Sequence, residues 1–67
     1  MSVYIIYGKR VGKDKTFRAL NSKGVRVNKL SEAMAYATKE DALEVLESPM
    51  IKQKIEEGLL EFDVRKG

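Results

Sequence analysis

Val3-Tyr4-Ile5-Ile6-Tyr7 is the stretch on which the fold turns. Successive side chains of a strand point to opposite faces of a sheet. Val3, Ile5 and Tyr7 share one face and Tyr4 and Ile6 the other, so both faces are apolar or aromatic. This pattern predicts a strand inside a sheet, with at least part of each face covered. The run has only five residues, far below the roughly 20 that span a bilayer and shorter than the core of a secretory signal. The expectation is a cytoplasmic protein with no membrane partner.

Working outward, Gly8 to Asp14 is polar, holds two glycines and reads as a turn. Residues 15–20 alternate, with Phe17 and Ala19 against Thr16 and Arg18, and predict a second strand. Asn21-Ser22-Lys23-Gly24 reads as a hairpin turn with Gly24 in the left-handed position. Val25 and Val27 then continue a strand over residues 25–28. Ala33, Ala35 and Ala37 alternate with Met34 and Tyr36, which fits a short strand, although alanine also favours helix.

Thr38-Lys39-Glu40-Asp41 resembles a capping box, with acids in the first turn where the helix dipole favours them. A helical region over 39–57 follows. Proline removes a hydrogen bond from a helix interior but suits the first position of a new helix. Ser48-Pro49 therefore predicts one helix ending near Glu47 and another starting at Pro49, capped by Ser48 and ended by Gly58. A single kinked helix is the alternative. Leu60, Phe62 and Val64 alternate with Glu61, Asp63 and Arg65 as a last, half-buried strand over 60–65. The expected core is Ile5, Phe17, Leu43, Leu46, Ile55, Leu60, Phe62 and Val64. The order β-β-β-(β)-α-α-β implies an α+β fold: a small, mostly antiparallel sheet with helices packed on one face. Residues 1–67 form one domain in this reading.

Tyr4-x-Ile6-Tyr7-Gly8-Lys9, Phe17-x-Ala19-Leu20, Ala35-Tyr36-Ala37-Thr38 with Glu40-Asp41-Ala42, and Glu61-Phe62-x-Val64-Arg65-Lys66 together cover most of the chain. In these motifs it resembles a set of short uncharacterised proteins from Gram-positive bacteria and their phages and conjugative elements. The shared motifs are framework: strand, turn, cap and strand. The resemblance implies a self-contained domain of bacterial or mobile-element origin, and it carries no activity with it.

Composition narrows the chemistry. Apolar residues make up 43% and charged residues 34% of the 67, which is globular composition rather than that of a disordered chain. Cysteine and histidine are both absent, so there is no disulfide, no thiolate metal site, no imidazole ligand and no histidine general base. Gly8-Lys9-Arg10-Val11-Gly12-Lys13-Asp14 fails as a phosphate loop. Such a loop needs four residues between its glycines, a hydroxyl residue after the lysine and a following helix. Glu40, Asp41, Glu44 and Glu47 could ligate a hard cation, but such a row is ordinarily the solvated side of an amphipathic helix. The expectation is a protein that is not an enzyme and that uses no cofactor or metal.

Charge is the one feature with a functional pull. Residues 1–30 carry Lys9, Arg10, Lys13, Lys15, Arg18, Lys23, Arg26 and Lys29 against the single acid Asp14, a net +7. Residues 31–67 carry five bases and nine acids, a net −4. Segregated charge steers an oppositely charged partner or aligns two copies head to tail. The first reading is therefore a non-enzymatic interaction module that meets a protein partner or associates with itself. The alternative is a nucleic-acid-binding domain, for DNA or RNA, in which those eight cations on basic hairpins track phosphates and an exposed tyrosine stacks on bases.

Overall fold

The apolar run at the start of the chain opens a seven-residue strand, β1 (Tyr4–Arg10), that lies in the middle of the sheet. The structure, a computed structural model, describes residues 2–67. After β1 come β2 (Arg18–Ala19), a 3-10 turn (Leu30–Glu32), β3 (Ala35–Tyr36), α1 (Lys39–Leu46), α2 (Pro49–Glu56) and β4 (Leu60–Lys66). All pairings are antiparallel. β4 runs beside β1 over seven pairs, from Tyr4 opposite Lys66 to Arg10 opposite Leu60. The other edge of β1 is shared end to end by β2, at Tyr7–Ala19 and Gly8–Arg18, and β3, at Tyr4–Tyr36 and Ile5–Ala35. The result is the expected α+β architecture.

Strand β1 outlasts the expected 3–7, because Gly8, Lys9 and Arg10 stay in the sheet instead of opening a turn. The reason lies across the ladder. A Cβ on Gly8 would sit 3.0 and 3.1 Å from two ring carbons of Phe62 and 3.5 Å from Leu20 Cδ1. Glycine inside a strand marks such a close approach. The ring covers the bare backbone, and the turn shrinks to the residues after Arg10.

The expected strand over 15–20 contracts to Arg18–Ala19, and that over 25–28 to a single bridge between Leu20 and Arg26. The Asn21 side chain accepts the N–H groups of Lys23 and Val25 at 2.9 and 3.0 Å. Local side-chain bonds of this kind compete with a ladder. The Leu20 carbonyl is also taken by the Met34 N–H at 3.0 Å, which leads the chain into β3. Gly24 does adopt the left-handed conformation, with φ of 78°.

Thr38 caps α1 as its sequence predicts: its Oγ1 accepts the Asp41 N–H at 3.1 Å. The helical region is broken rather than kinked. Bonds from Glu47 to Glu44 and from Ser48 to Val45, at 3.1 and 3.2 Å, tighten the end of α1, and Pro49 starts α2. Ser48 occupies the N-cap, but its side chain caps nothing. Gly58 ends α2 with φ of 74°, a conformation that glycine adopts without steric cost.

The helices cover one face of the sheet. Ile6, Leu20 and Ala42 are buried there, packed by Tyr4, Tyr36, Val45, Leu46, Phe62 and Val64. Leu46, Phe62 and Val64 thus join the core as expected. Leu43 and Ile55 do not, at 43% and 40% exposure. Helix α1 turns Ala42, wholly buried, onto the sheet, with Val45 and Leu46 packed beside it. Ile5 is buried as expected, although outside the central cluster, whereas Phe17 and Leu60 are only half-buried. Ile6, Leu20 and Ala42 were absent from the expected core.

Candidate functional site

The eight cations of the basic half divide into two groups. Asp14 gathers two of them. It accepts the Arg10 backbone N–H at 2.8 Å, Arg10 Nε at 3.2 Å and Nη2 at 3.1 Å, and it also pairs with Arg26 Nη1. The Arg10 guanidinium and N–H bonds, with the charge of Arg26 behind them, hold the Asp14 carboxyl well below the usual carboxylate range. This clasp ties the turn after β1 to the hairpin at residues 21–26. Lys9 is also engaged, 3.6 Å from Glu61 and with its ammonium 5.0 Å from the centre of the Phe17 ring. These three side chains build the fold. Arg26 in particular is half-buried, where the charge pattern had placed it on an open hairpin.

Lys13, Lys15, Arg18, Lys23 and Lys29 remain exposed and have no acidic partner among the described residues. Lys13 and Lys15 lie in the loop before β2, Arg18 in β2, Lys23 at the hairpin tip and Lys29 just before the 3-10 turn. Arg18 is steadied by Asn28 Oδ1 at 3.5 Å.

The sheet face opposite the helices is only partly exposed: Ile5 and Ala19 are buried on it, and Tyr7, Lys9 and Phe17 are half-buried. Pleating and register lay out the rows Glu61–Lys9, Asp63–Tyr7–Ala19 and Arg65–Ile5–Ala35 on it, and Phe17, just before β2, lies beside Lys9. Arg65 lies over two rings, its guanidinium carbon 4.7 Å from the Tyr7 centroid and 5.2 Å from that of Phe17, and its Nε donates to Asp63 at 2.9 Å. Beside these rings an open groove of about 260 Å³ runs along β2, bounded by Tyr7, Phe17, Arg18, Asn28 and Lys29. The charge pattern missed Arg65 because it lies far from the basic segment. The alternation of the last strand, which puts Arg65 on the face of Asp63, was the available signal.

Glu40, Asp41, Glu44 and Glu47 are exposed along α1. Among the described residues no group of three or more acidic, His or Cys side chains is placed to hold a metal ion, and no helix is long and apolar enough to cross a membrane. The basic segment around Gly8 is strand rather than loop, so no glycine-rich cradle exists there. Fold and surface together define a small α+β protein whose two helices cover one face of an antiparallel sheet. No protein-family model, curated protein or solved structure matches the chain.

Proposed function

We propose that the protein is a non-enzymatic interaction module that associates with a second copy of itself along β4. The observation that carries this reading is the free edge of that strand. The ladder is bracketed by the Val11 N–H to Leu59 carbonyl bond at 3.0 Å and the Gly67 N–H to Val3 carbonyl bond at 2.8 Å. Antiparallel bonding alternates along a strand. Glu61, Asp63 and Arg65 therefore turn their backbone groups toward β1, and Leu60, Phe62, Val64 and Lys66 turn theirs outward. No strand pairs with that outer side among the described residues. A long unpaired edge is a template for another strand.

The side chains of β4 suit a copy of the same strand. Antiparallel self-pairing about a two-fold axis at Val64 sets Asp63 of each copy against Arg65 of the other, with Val64 against Val64. Cross-strand pairs of opposite charge contribute about 0.2–1 kcal/mol each, and like charges directly opposite are destabilising. Moving the axis to Asp63 would bring two carboxylates together. The charges that deter unrelated strands thus favour this one.

Sedimentation velocity over a wide concentration range tests the reading. The wild type should show a monomer–dimer equilibrium. Asp63→Arg and Arg65→Asp should each shift it toward monomer, and the double variant, which restores two opposite-charge pairs, should recover the dimer. A wild type that stays monomeric throughout, or a double variant no better than the singles, would sink the proposal.

A further inference from the structure

The groove lies along β2, across β1 from the β4 edge; the two inferences share only Arg65, which the variants below leave unchanged, so either can fail without the other. Its chemistry is mixed in a particular way. Tyr7 and Phe17 supply aromatic surface, and Asn28 supplies an amide; Lys29 supplies positive charge, as does Arg18, which leaves the sheet on the helix side but reaches Asn28 around the edge of β2; no acid is among the lining residues. The two acids on this face, Glu61 and Asp63, lie on the β4 side and are taken up by Lys9 and Arg65.

We infer that this groove binds single-stranded nucleic acid. A base packs against the stack that Arg65 forms with Tyr7 and Phe17, at the part of the rings that lines the groove, while Arg18 and Lys29 hold the flanking phosphates and the Asn28 amide faces the base edge. Every base has a π-face, so stacking on aromatic side chains is tolerant of sequence, and cationic walls track the backbone. Bases also stack on guanidinium planes. Arg65 lies over both rings with its side chain 49% exposed, so its outer side extends the same platform.

Three features favour a single strand over a duplex or an acidic peptide. The rings line an open groove of about 260 Å³, and a base reaches a ring only when it is freed from its own stack. An acidic peptide would use the cations and leave the rings idle. The exposed Lys13, Lys15 and Lys23 lie outside the lining, so the site is drawn by the conjunction of charge and ring rather than by the basic segment as a whole.

The experiment is fluorescence anisotropy with a labelled single strand of mixed sequence, about ten nucleotides long to match the site sizes of small single-strand binders, at low and moderate salt. Binding should weaken with salt. Arg18→Glu combined with Lys29→Glu should weaken it at least tenfold and flatten the salt dependence by one to two units of slope, as expected for lost phosphate contacts. Phe17→Leu keeps apolar bulk but removes the ring, and should weaken binding severalfold with the slope unchanged. Circular dichroism checks that each variant folds. Amide shift mapping on the wild type gives a readout that needs no variant: changes should centre on residues 7, 17–19 and 27–30. Binding that is absent at low salt, competed equally by polyglutamate of the same charge, tighter for a duplex, or mapped only to Lys13, Lys15 and Lys23 would overturn the inference.

Discussion

The two edges of β1 are held by different kinds of bond. On the β4 side, seven consecutive residue pairs form an unbroken ladder. On the other side, two pairs with β2 and two with β3 are separated by a long excursion from Leu20 to Met34. That excursion is stitched by side chains: Asp14 to Arg10 and Arg26, Asn21 to two N–H groups of its own turn, and Arg18 to Asn28. A ladder distributes its stability over many equivalent backbone bonds, whereas stitched loops depend on a few named groups. The regular side carries the outer edge of β4, and the irregular side is where the groove forms. Loops set on a rigid scaffold are where binding residues concentrate.

The largest break should come from the regular side. Phe62 joins the core and lies over Gly8, so Phe62→Ala opens the ladder and the core together. Complete removal of a buried Phe costs about 3–5 kcal/mol; for this half-buried ring about 2–3 kcal/mol is expected, read as a fall in the urea midpoint. Gly8→Ala comes next. Its new Cβ would crowd the ring at 3.0 Å, and overpacking of this kind costs about 1–3 kcal/mol. In the Phe62→Ala background that cost should almost vanish, and a double-mutant cycle would measure the coupling. Equal costs in both backgrounds would mean that Gly8 serves some other need.

Thr38→Ala tests a local contact that belongs to neither edge. Loss of a threonine cap costs about 1 kcal/mol, which should lower the melting temperature by about 4–8 °C in a chain of this size. On the stitched side the effect is smaller still; it is present at neutral pH and fades in acid. The Asp14 carboxyl is held below its ordinary value near 3.8 by Arg10 and Arg26. The folded state therefore binds fewer protons than the unfolded state below about pH 4, so this contribution is complete above that pH and is lost as the pH falls. Asp14→Asn should melt earlier at pH 7 and show a shallower loss of stability between pH 4 and pH 2 than the wild type. Parallel curves for the two proteins would place the acid sensitivity elsewhere.

The features legible in the sequence were those decided within a turn or two of chain. Thr38 caps because its hydroxyl reaches an N–H three residues on, and Pro49 breaks the helix because it lacks a donor. The last strand alternates, and its apolar residues do face the helices. Gly8 departs from its local pattern for the opposite reason. By its neighbours it belongs to a turn, and only the Phe62 ring, distant in sequence, keeps it in the sheet. Among the candidate site residues, Arg18 and Lys29 keep the exposure their composition implies, while Lys9, Arg10 and Arg26 are drawn into the structure by Glu61 and Asp14. Charge counted along the chain cannot reveal which cations will find an acid.

By itself, then, the sequence determined the α+β class, the sites of helix start and break, the alternation of the closing strand and the absence of histidine and cysteine chemistry. These follow from local hydrogen bonding, backbone sterics and composition. The tertiary structure alone decided the pairing of β1 with β4 along its whole length, the free edge that results, the burial of Ala42 in place of Leu43, and the meeting of Arg65 with Tyr7 and Phe17 beside the groove. Each depends on groups far apart in the chain. Their contact free energies must outweigh the entropy of bringing them together, and that balance is struck only when the whole core closes.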